Sequence, residues 1–224
     1  TFMEGDRELF LKVMEKEEQL EDFKKQGKKK QAKSLARILA NDAGSTACVA
    51  LISPHYVLCA NAGDSRTVLQ RHKGVEPLST DHRPSLSKEA KRIRAAGGYV
   101  LGSRIEDDLA VSRGFGDYRF KEKEVTLHGT MRTERTPDHQ KVSPIPEFSV
   151  VWRNGNDKFV LVGCDGIFEC CSNDQVCDMT CKAIANHEDL KMACEQVIDE
   201  CLKAGSKDNM SLILVDLGGC SLHA

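Results

Sequence analysis

Two apolar runs, residues 47–52 and residues 56–60, stand on either side of a Ser53-Pro54 turn. Runs this short, separated by a proline turn, read as a buried β-hairpin rather than as helices. Further strands are predicted over 67–70, closed by Lys73-Gly74, over 158–162, and over 210–215. Between them lie helical patterns. Leu35, Ile38 and Leu39 have helical spacing and stop at Asn41-Asp42-Ala43-Gly44, and a helix over 87–96 stops at Gly97-Gly98. Ser172-x-x-Gln175 is a capping box that opens another. The strongest pattern covers 190–202, where Leu190, Ala193, Cys194, Val197, Ile198, Cys201 and Leu202 share one face and Gly205 follows. Hairpin-paired strands beside long one-sided helices give an α+β class, with antiparallel sheet covered by helices.

The 224 residues, 40% of them hydrophobic, suffice for one domain with a real core. No apolar run approaches the roughly 20 residues that span a bilayer, so no membrane association is expected. A net charge of −2 gives no reason to expect nucleic acid as a partner. That balance conceals sorting. Residues 1–33 hold nine Lys/Arg and eight Asp/Glu, acidic over 15–22 and basic over 24–33. Leu9, Phe10, Val13 and Met14, then Leu20 and Phe23, give a short apolar face that Gly27 interrupts. The segment reads as one or two polar helices with a solvated face, with docking of a partner as the other use of such charge. The expected division is therefore 1–40 as a charged segment, 41–219 as the folded body and 220–224 as a tail. Thr1 is not an initiator Met and no signal peptide follows it, so the numbering is expected to begin inside a longer chain.

None of the ten cysteines forms a C-x-x-C pair, and no His stands at zinc-finger spacing, so a zinc site is poorly supported. They read as buried, reduced thiols of a cytoplasmic or nuclear protein, with the vicinal Cys170-Cys171 as a lesser redox candidate. Three aspartates share one placement. Asp64 follows the strand ending near Ala62, Asp165 follows the strand over 158–162, and Asp208 precedes the strand over 210–215, each near a Gly. In antiparallel sheet the end of one strand lies beside the start of its neighbour, so the three can meet on one rim. Clustered carboxylates repel unless a cation neutralises them, and oxygen-only ligation suits Mg2+ or Mn2+. A single Asp beside Gly is ordinary turn chemistry.

Eight motifs in order change that balance: Gly44-Ser45-Thr46-Ala47, Ala60-Asn61-Ala62-Gly63-Asp64-Ser65-Arg66, Ser79-Thr80-Asp81-His82-Arg83-Pro84, Arg92-Ile93 through Ala96-Gly97-Gly98, residues 109–117 (Leu-Ala-Val-Ser-Arg-Gly-Phe-Gly-Asp), Pro146-Glu147-Phe148, Cys164-Asp165-Gly166-Ile167-Phe168, and Gly205-Ser206-Lys207-Asp208-Asn209-Met210. Together they resemble the metal-dependent protein serine/threonine phosphatases of type 2C, from about Gly44 to Val215. The resemblance implies a sandwich of two antiparallel β-sheets flanked by helices, and hydrolysis of phosphoserine and phosphothreonine in proteins by a hydroxide held between metals. It implies that Asp165 and Asp208 hold the two core Mg2+ or Mn2+ ions, that Asp64 serves a third ion, and that Glu169 replaces the Asp helping there. It also implies supporting roles for Gly166 and Asn209. Cys164 and Phe168, in place of frequent Ser and Trp, read as packing changes.

The family's core site further calls for an Asp-Gly-His-Gly-Gly motif and an upstream Arg and acidic residue, which supply a bridging Asp, the general acid and the phosphate grip. No such motif occurs in this chain, so its general acid and phosphate-binding Arg are unassigned and the polypeptide by itself is expected to bind metal weakly and hydrolyse slowly. His82 is expected to be structural, Arg113 and Asp117 to form a buried pair or cap under the site, and Arg66 to orient Asp64. The polar stretch 121–144 coincides with the family's variable flap over the substrate cleft. A monomeric phosphatase acting on phosphorylated proteins is the first reading. A pseudophosphatase serving as a binding module, or a cation-binding regulatory domain, are the alternatives. The retained Asp165-Gly166 and Asp208-Asn209 favour the enzyme, because a binding module has no physical need of them.

Overall fold

The computed structural model describes residues 1–39, 43–121, 136–187 and 189–219. In chain order its elements are α1 (Phe2–Lys25), α2 (Lys29–Leu39), β1 (Gly44–Ser45), β2 (Ala47–Ile52), β3 (Tyr56–Ala62), β4 (Arg66–Gln70), β5 (Val75–Pro77), α3 (Ser87–Ala95), β6 (Val100–Leu101) and β7 (Arg104–Ile105). There follow β8 (Phe115–Gly116), β9 (Glu147–Trp152), β10 (Phe159–Gly163), α4 (Asp165–Phe168), α5 (Asn173–His187), α6 (Leu190–Lys203) and β11 (Leu212–Asp216). The chain divides into two interleaved units, Thr1–Thr46 with His82–Pro146, and Ala47–Asp81 with Glu147–Ala224. The charged segment is thus half of a unit rather than an appendage.

In the second unit the predicted hairpin forms. Strand β2 pairs antiparallel with β3, Ala47 opposite Ala62, and the Ser53 hydroxyl accepts the backbone N–H groups of His55 (3.2 Å) and Tyr56 (3.0 Å) to close the turn. Strand β9 adds to β3 to make a three-stranded sheet, and a four-stranded sheet runs β11-β10-β4-β5. Alternation along β10 settles the layering. Phe159 and Leu161, with Val68, pack on Ile167, Val176, Ala183, Val197 and Cys201, residues that follow the strand or belong to α5 and α6. Val160, with Leu69, faces the other way onto Val57 and Cys59 of the three-stranded sheet. The unit is therefore helices, sheet, sheet: the expected pair of facing antiparallel sheets, with helices over one of them. Each of these fully buried aliphatic side chains contributes about 1.5–3 kcal/mol of transfer free energy.

The helices obey the sequence signals. Ser172 and Gln175 exchange both capping-box bonds, the Ser172 N–H donating to Gln175 Oε1 (2.8 Å) and the Gln175 N–H to Ser172 Oγ (3.2 Å). Asp189 caps α6 through the Lys191 N–H. Strand β9 reverses the usual pattern. Phe148, Val150 and Trp152 are 67%, 57% and 75% exposed, so its large apolar residues point away from the sandwich.

In the first unit α1 and α2 form a helical hairpin, with Gly27 at φ 68° making the turn. Phe2 lies edge-on to Phe115 and Phe10 tilts onto Tyr118. Asp6, one charge in a largely solvated run, is buried. One of its oxygens, Oδ1, accepts from the Gly116 N–H (2.9 Å) and from the fully buried Lys121 ammonium (2.8 Å), which also donates to the Gly114 carbonyl. A helix with an exposed charged face is thereby pinned by a single desolvated ion pair.

A second buried hub centres on Glu89. Arg113 donates to Glu89 Oε1 from Nη2 (2.7 Å) and to Oε2 from Nε (3.1 Å), while Arg92 (2.7 Å) and the Ser112 hydroxyl (2.8 Å) share Oε2. Both arginines reach on to backbone carbonyls, Arg113 to Ile145 and Arg92 to Gln140. The network ties α3 to two loops. His82, buried, accepts the Ser112 N–H at its carbonyl, the structural place expected of it.

Candidate functional site

Strand register brings the three aspartates to one edge. Gly163 of β10 lies opposite Arg66 of β4 on one side and opposite Leu212 of β11 on the other. Asp165 follows Gly163 by two residues, Asp64 precedes Arg66 by two, and Asp208 precedes Leu212 by four. All three therefore stand past the same end of the four-stranded sheet. Asp64 is buried, Asp165 half-buried, and Asp208 and Glu169 are exposed.

The local backbone explains why these positions hold. Asp165 opens the short α4, and its Oδ1 accepts the Gly166 N–H (2.9 Å). Asp208 does the same with the Asn209 N–H (2.7 Å). At Gly166 an added Cβ would run into the Asn209 carbonyl and approach Asp208 Cβ at 3.2 Å, so only glycine lets the two Asp-bearing turns approach. The Ser206 hydroxyl donates to the Gly166 carbonyl (2.6 Å) from the other side. Cys164 is more than a packing change: its thiol donates to the Asn209 carbonyl (3.4 Å) and accepts the Ser211 N–H (3.2 Å), doing a hydroxyl's work. Gly166, Glu169, Cys170, Gly205, Ser206, Lys207 and Asp208 line an open cleft of about 560 Å³.

The Asp64 turn is fixed by Asn61, whose amide donates to the carbonyls of Gly63 and Thr80, both at 3.0 Å. The carboxylate that Arg66 is shown to grip is Asp81. Arg66 forks onto Asp81, Nε to Oδ1 at 3.0 Å and Nη2 to Oδ2 at 2.8 Å; it also donates to Asn173 Oδ1 at 2.7 Å and lies 4.8 Å over the Phe168 ring. Its fork geometry is thus spent on bracing α5 and the 79–81 loop. Phe168, in turn, is the ring that seats it.

Asp117 lies in the first unit. It is buried at φ 51°, and an added Cβ at Gly44 would strike its carboxylate, so it supports the backbone at Gly44. The carboxylate gripped by the Arg113 fork is Glu89. Most of the flap stretch lies outside the described residues, as does Cys220. The nine described cysteines are all free thiols. Burial pushes the Cys177 thiol up to about 12, and burial with the neighbouring thiols of Cys171 and Cys170 does the same to Cys201.

Among the described residues no three carboxylates draw within 4.8 Å of one another; the one group of three or more ligating side chains that does is Cys170, Cys171 and Cys201. As a donor set Asp165, Asp208, Asp64 and Glu169 offer hard oxygen atoms on one open edge, which fits Mg2+ or Mn2+ rather than a thiophilic ion. Sequence reasoning missed Asn61, Asp81, Asn173, Ser206 and Glu89. A capping-type signal pointed to none of them, because each acts across 15 or more residues of chain or on a backbone carbonyl.

Comparison with known proteins identifies the family. The profile of the family described as protein phosphatase 2C matches residues 4–210, so the match takes in the charged helical hairpin as well as the body. Human protein phosphatase 1A is 40% identical over 177 residues, 79% of this chain and 44% of that protein. A crystal structure of a phosphatase from Toxoplasma gondii superposes with a TM-score of 0.63 at 32% identity, covering 73% of this chain and 50% of that one. The structure of a Caenorhabditis elegans sex determining protein gives a TM-score of 0.66 at 25% identity, covering 84% and 46%. The chain spans less than half the length of the curated relatives it matches.

Proposed function

The chain belongs to the protein phosphatase 2C family, and from that premise we propose that it carries part of a Mg2+- or Mn2+-dependent protein serine/threonine phosphatase. The observation that carries the proposal is the register that sets Asp64, Asp165 and Asp208 past one end of one sheet. Asp165 and Asp208 would hold the core cations, and Asp64 with Glu169 a further one. Bound, these ions supply Lewis acidity toward water and the phosphoryl oxygens.

The chain's own residues set the conditions for that chemistry. Gly166 and Ser206 lock the Asp165 and Asp208 turns together, so two carboxylates on separate elements move as one. Asn61 fixes the Asp64 turn from beneath. Lys207 lines the same cleft, and its positive charge would favour entry of a phosphoryl dianion. Phosphorylated proteins are the substrate class, a monomer is the working unit, and the free thiols support a reducing compartment, cytoplasm or nucleus. No helix among the described residues is long and apolar enough to cross a membrane.

The test is release of inorganic phosphate from a phosphothreonine peptide by the full-length protein. Release is expected with Mn2+ or Mg2+, is expected to stop on chelation, and is expected to return when metal is restored. Hydrolysis that survives chelation would sink the metal-dependent chemistry, and no hydrolysis with either metal would return the pseudophosphatase reading.

A further inference from the structure

The three thiols that meet beside the carboxylate edge have no part in the chemistry proposed for it. Cys170 follows α4, Cys171 follows Cys170, and Cys201 lies in the last turn of α6, thirty residues after Cys171. Their sulfur atoms all lie within 4.8 Å of one another, with Cys170 and Cys171 at 3.6 Å. Three sulfurs bonded at about 2.3 Å to one tetrahedral ion stand about 3.8 Å apart. The Cys170–Cys171 side is close to that spacing, and the other two sides lie within an ångström of it or below it.

We propose that Cys170, Cys171 and Cys201 bind a single thiophilic d10 cation of the Zn2+ and Cd2+ class. Cys171 and Cys201 are buried within the same apolar cluster as Val197 and Phe168. Cys170 is half-buried and lines the open cleft, which gives an ion a way in to an otherwise enclosed pair. Soft sulfur ligands select against Mg2+ and Mn2+, so the two sites differ in kind although Cys170 and Glu169 are neighbours in sequence. Hydrophobic packing alone does not explain the arrangement, because three apolar side chains would serve the core equally without directing three sulfurs at one point.

The experiment is titration of the full chain with Cd2+, in a non-thiol reductant and saturating Mg2+, followed by the ultraviolet thiolate-to-metal charge-transfer absorption. One Cd2+ per chain with a band of three-thiolate intensity is expected. Cys170→Ser, at a half-buried position, and Cys201→Ser are each expected to weaken binding by at least about tenfold and to lower the band. Cys194→Ser, also on α6 but outside the triangle, and Asp208→Asn are expected to titrate as the parent does. Absence of the band at one equivalent, or an unchanged titration in Cys170→Ser, overturns the proposal. Because the readout is absorption rather than hydrolysis, it does not depend on the phosphatase reading.

Discussion

Replacing Asp165 with Ala in the full-length protein is expected to cut Mn2+-dependent phosphate release from a phosphothreonine peptide by more than about 100-fold. Removing even a residue that only orients a metal ligand costs roughly 10- to 100-fold in affinity or activity, and a ligand itself costs more. The loss is expected to persist in Asp165→Asn, which keeps the shape and the turn-closing acceptor for the Gly166 N–H but halves the oxygen donors and removes the charge. Glu169→Gln is expected to lose far less, because it changes an exposed residue assigned only to the further ion. A kinetic assay across Mn2+ concentrations separates the two, and activity retained by Asp165→Ala would remove the residue from the metal site.

Replacing Glu89 with Gln is expected to destabilise the folded chain by about 3–5 kcal/mol, the cost of leaving a buried charge uncompensated. Here the loss faces two guanidinium groups, Arg113 and Arg92, and a hydroxyl, all within hydrogen-bonding distance of one carboxylate. Burial raises the Glu89 carboxyl, but the hydrogen bonds of Arg113 and the charge of Arg92 outweigh it, holding the group at about 2 against an ordinary value of 4.5. A depressed folded value means stability that is complete above about pH 4.5 and lost as pH falls toward 2. Denaturant titration at pH 7 and again between pH 5 and 3 checks both points: the parent should lose stability across that interval more steeply than Glu89→Gln. Equal stability of the two proteins at pH 7 would show that the hub is dispensable.

The parts of the molecule legible in sequence are those whose signals are local. Helix α6 announces itself by seven apolar residues on one face, α5 by a complete capping box, and the β2–β3 hairpin by a Ser-Pro turn whose hydroxyl in fact closes it. Strand β9 was not legible because its large apolar residues Phe148, Val150 and Trp152 face outward, while inward it offers Glu147, Ser149 and Val151. The Asp edge was legible in kind, since strand ends adjoin in antiparallel sheet. Which carboxylate each arginine holds was not: Asp64 is two residues from Arg66 and Asp81 fifteen, yet the fork takes Asp81. Nor was the thiol triangle, because thirty residues and a helix pair separate Cys171 from Cys201 and no C-x-x-C spacing marks it. The charged segment shows the same limit from the other side. Its composition gives a solvated helix correctly, but only folding reveals that Asp6 is the charge that goes in.

The account rests on Asp165 and Asp208 holding divalent cations at one sheet edge. Counting bound Mn2+ by electron paramagnetic resonance, in the full-length protein and in Asp165→Asn/Asp208→Asn, addresses this without recourse to turnover. Strongly bound Mn2+ in the parent that is displaced by Mg2+ and missing from the double variant is the predicted result. Mn2+ bound equally well by the double variant, with its fold intact by circular dichroism, would contradict it.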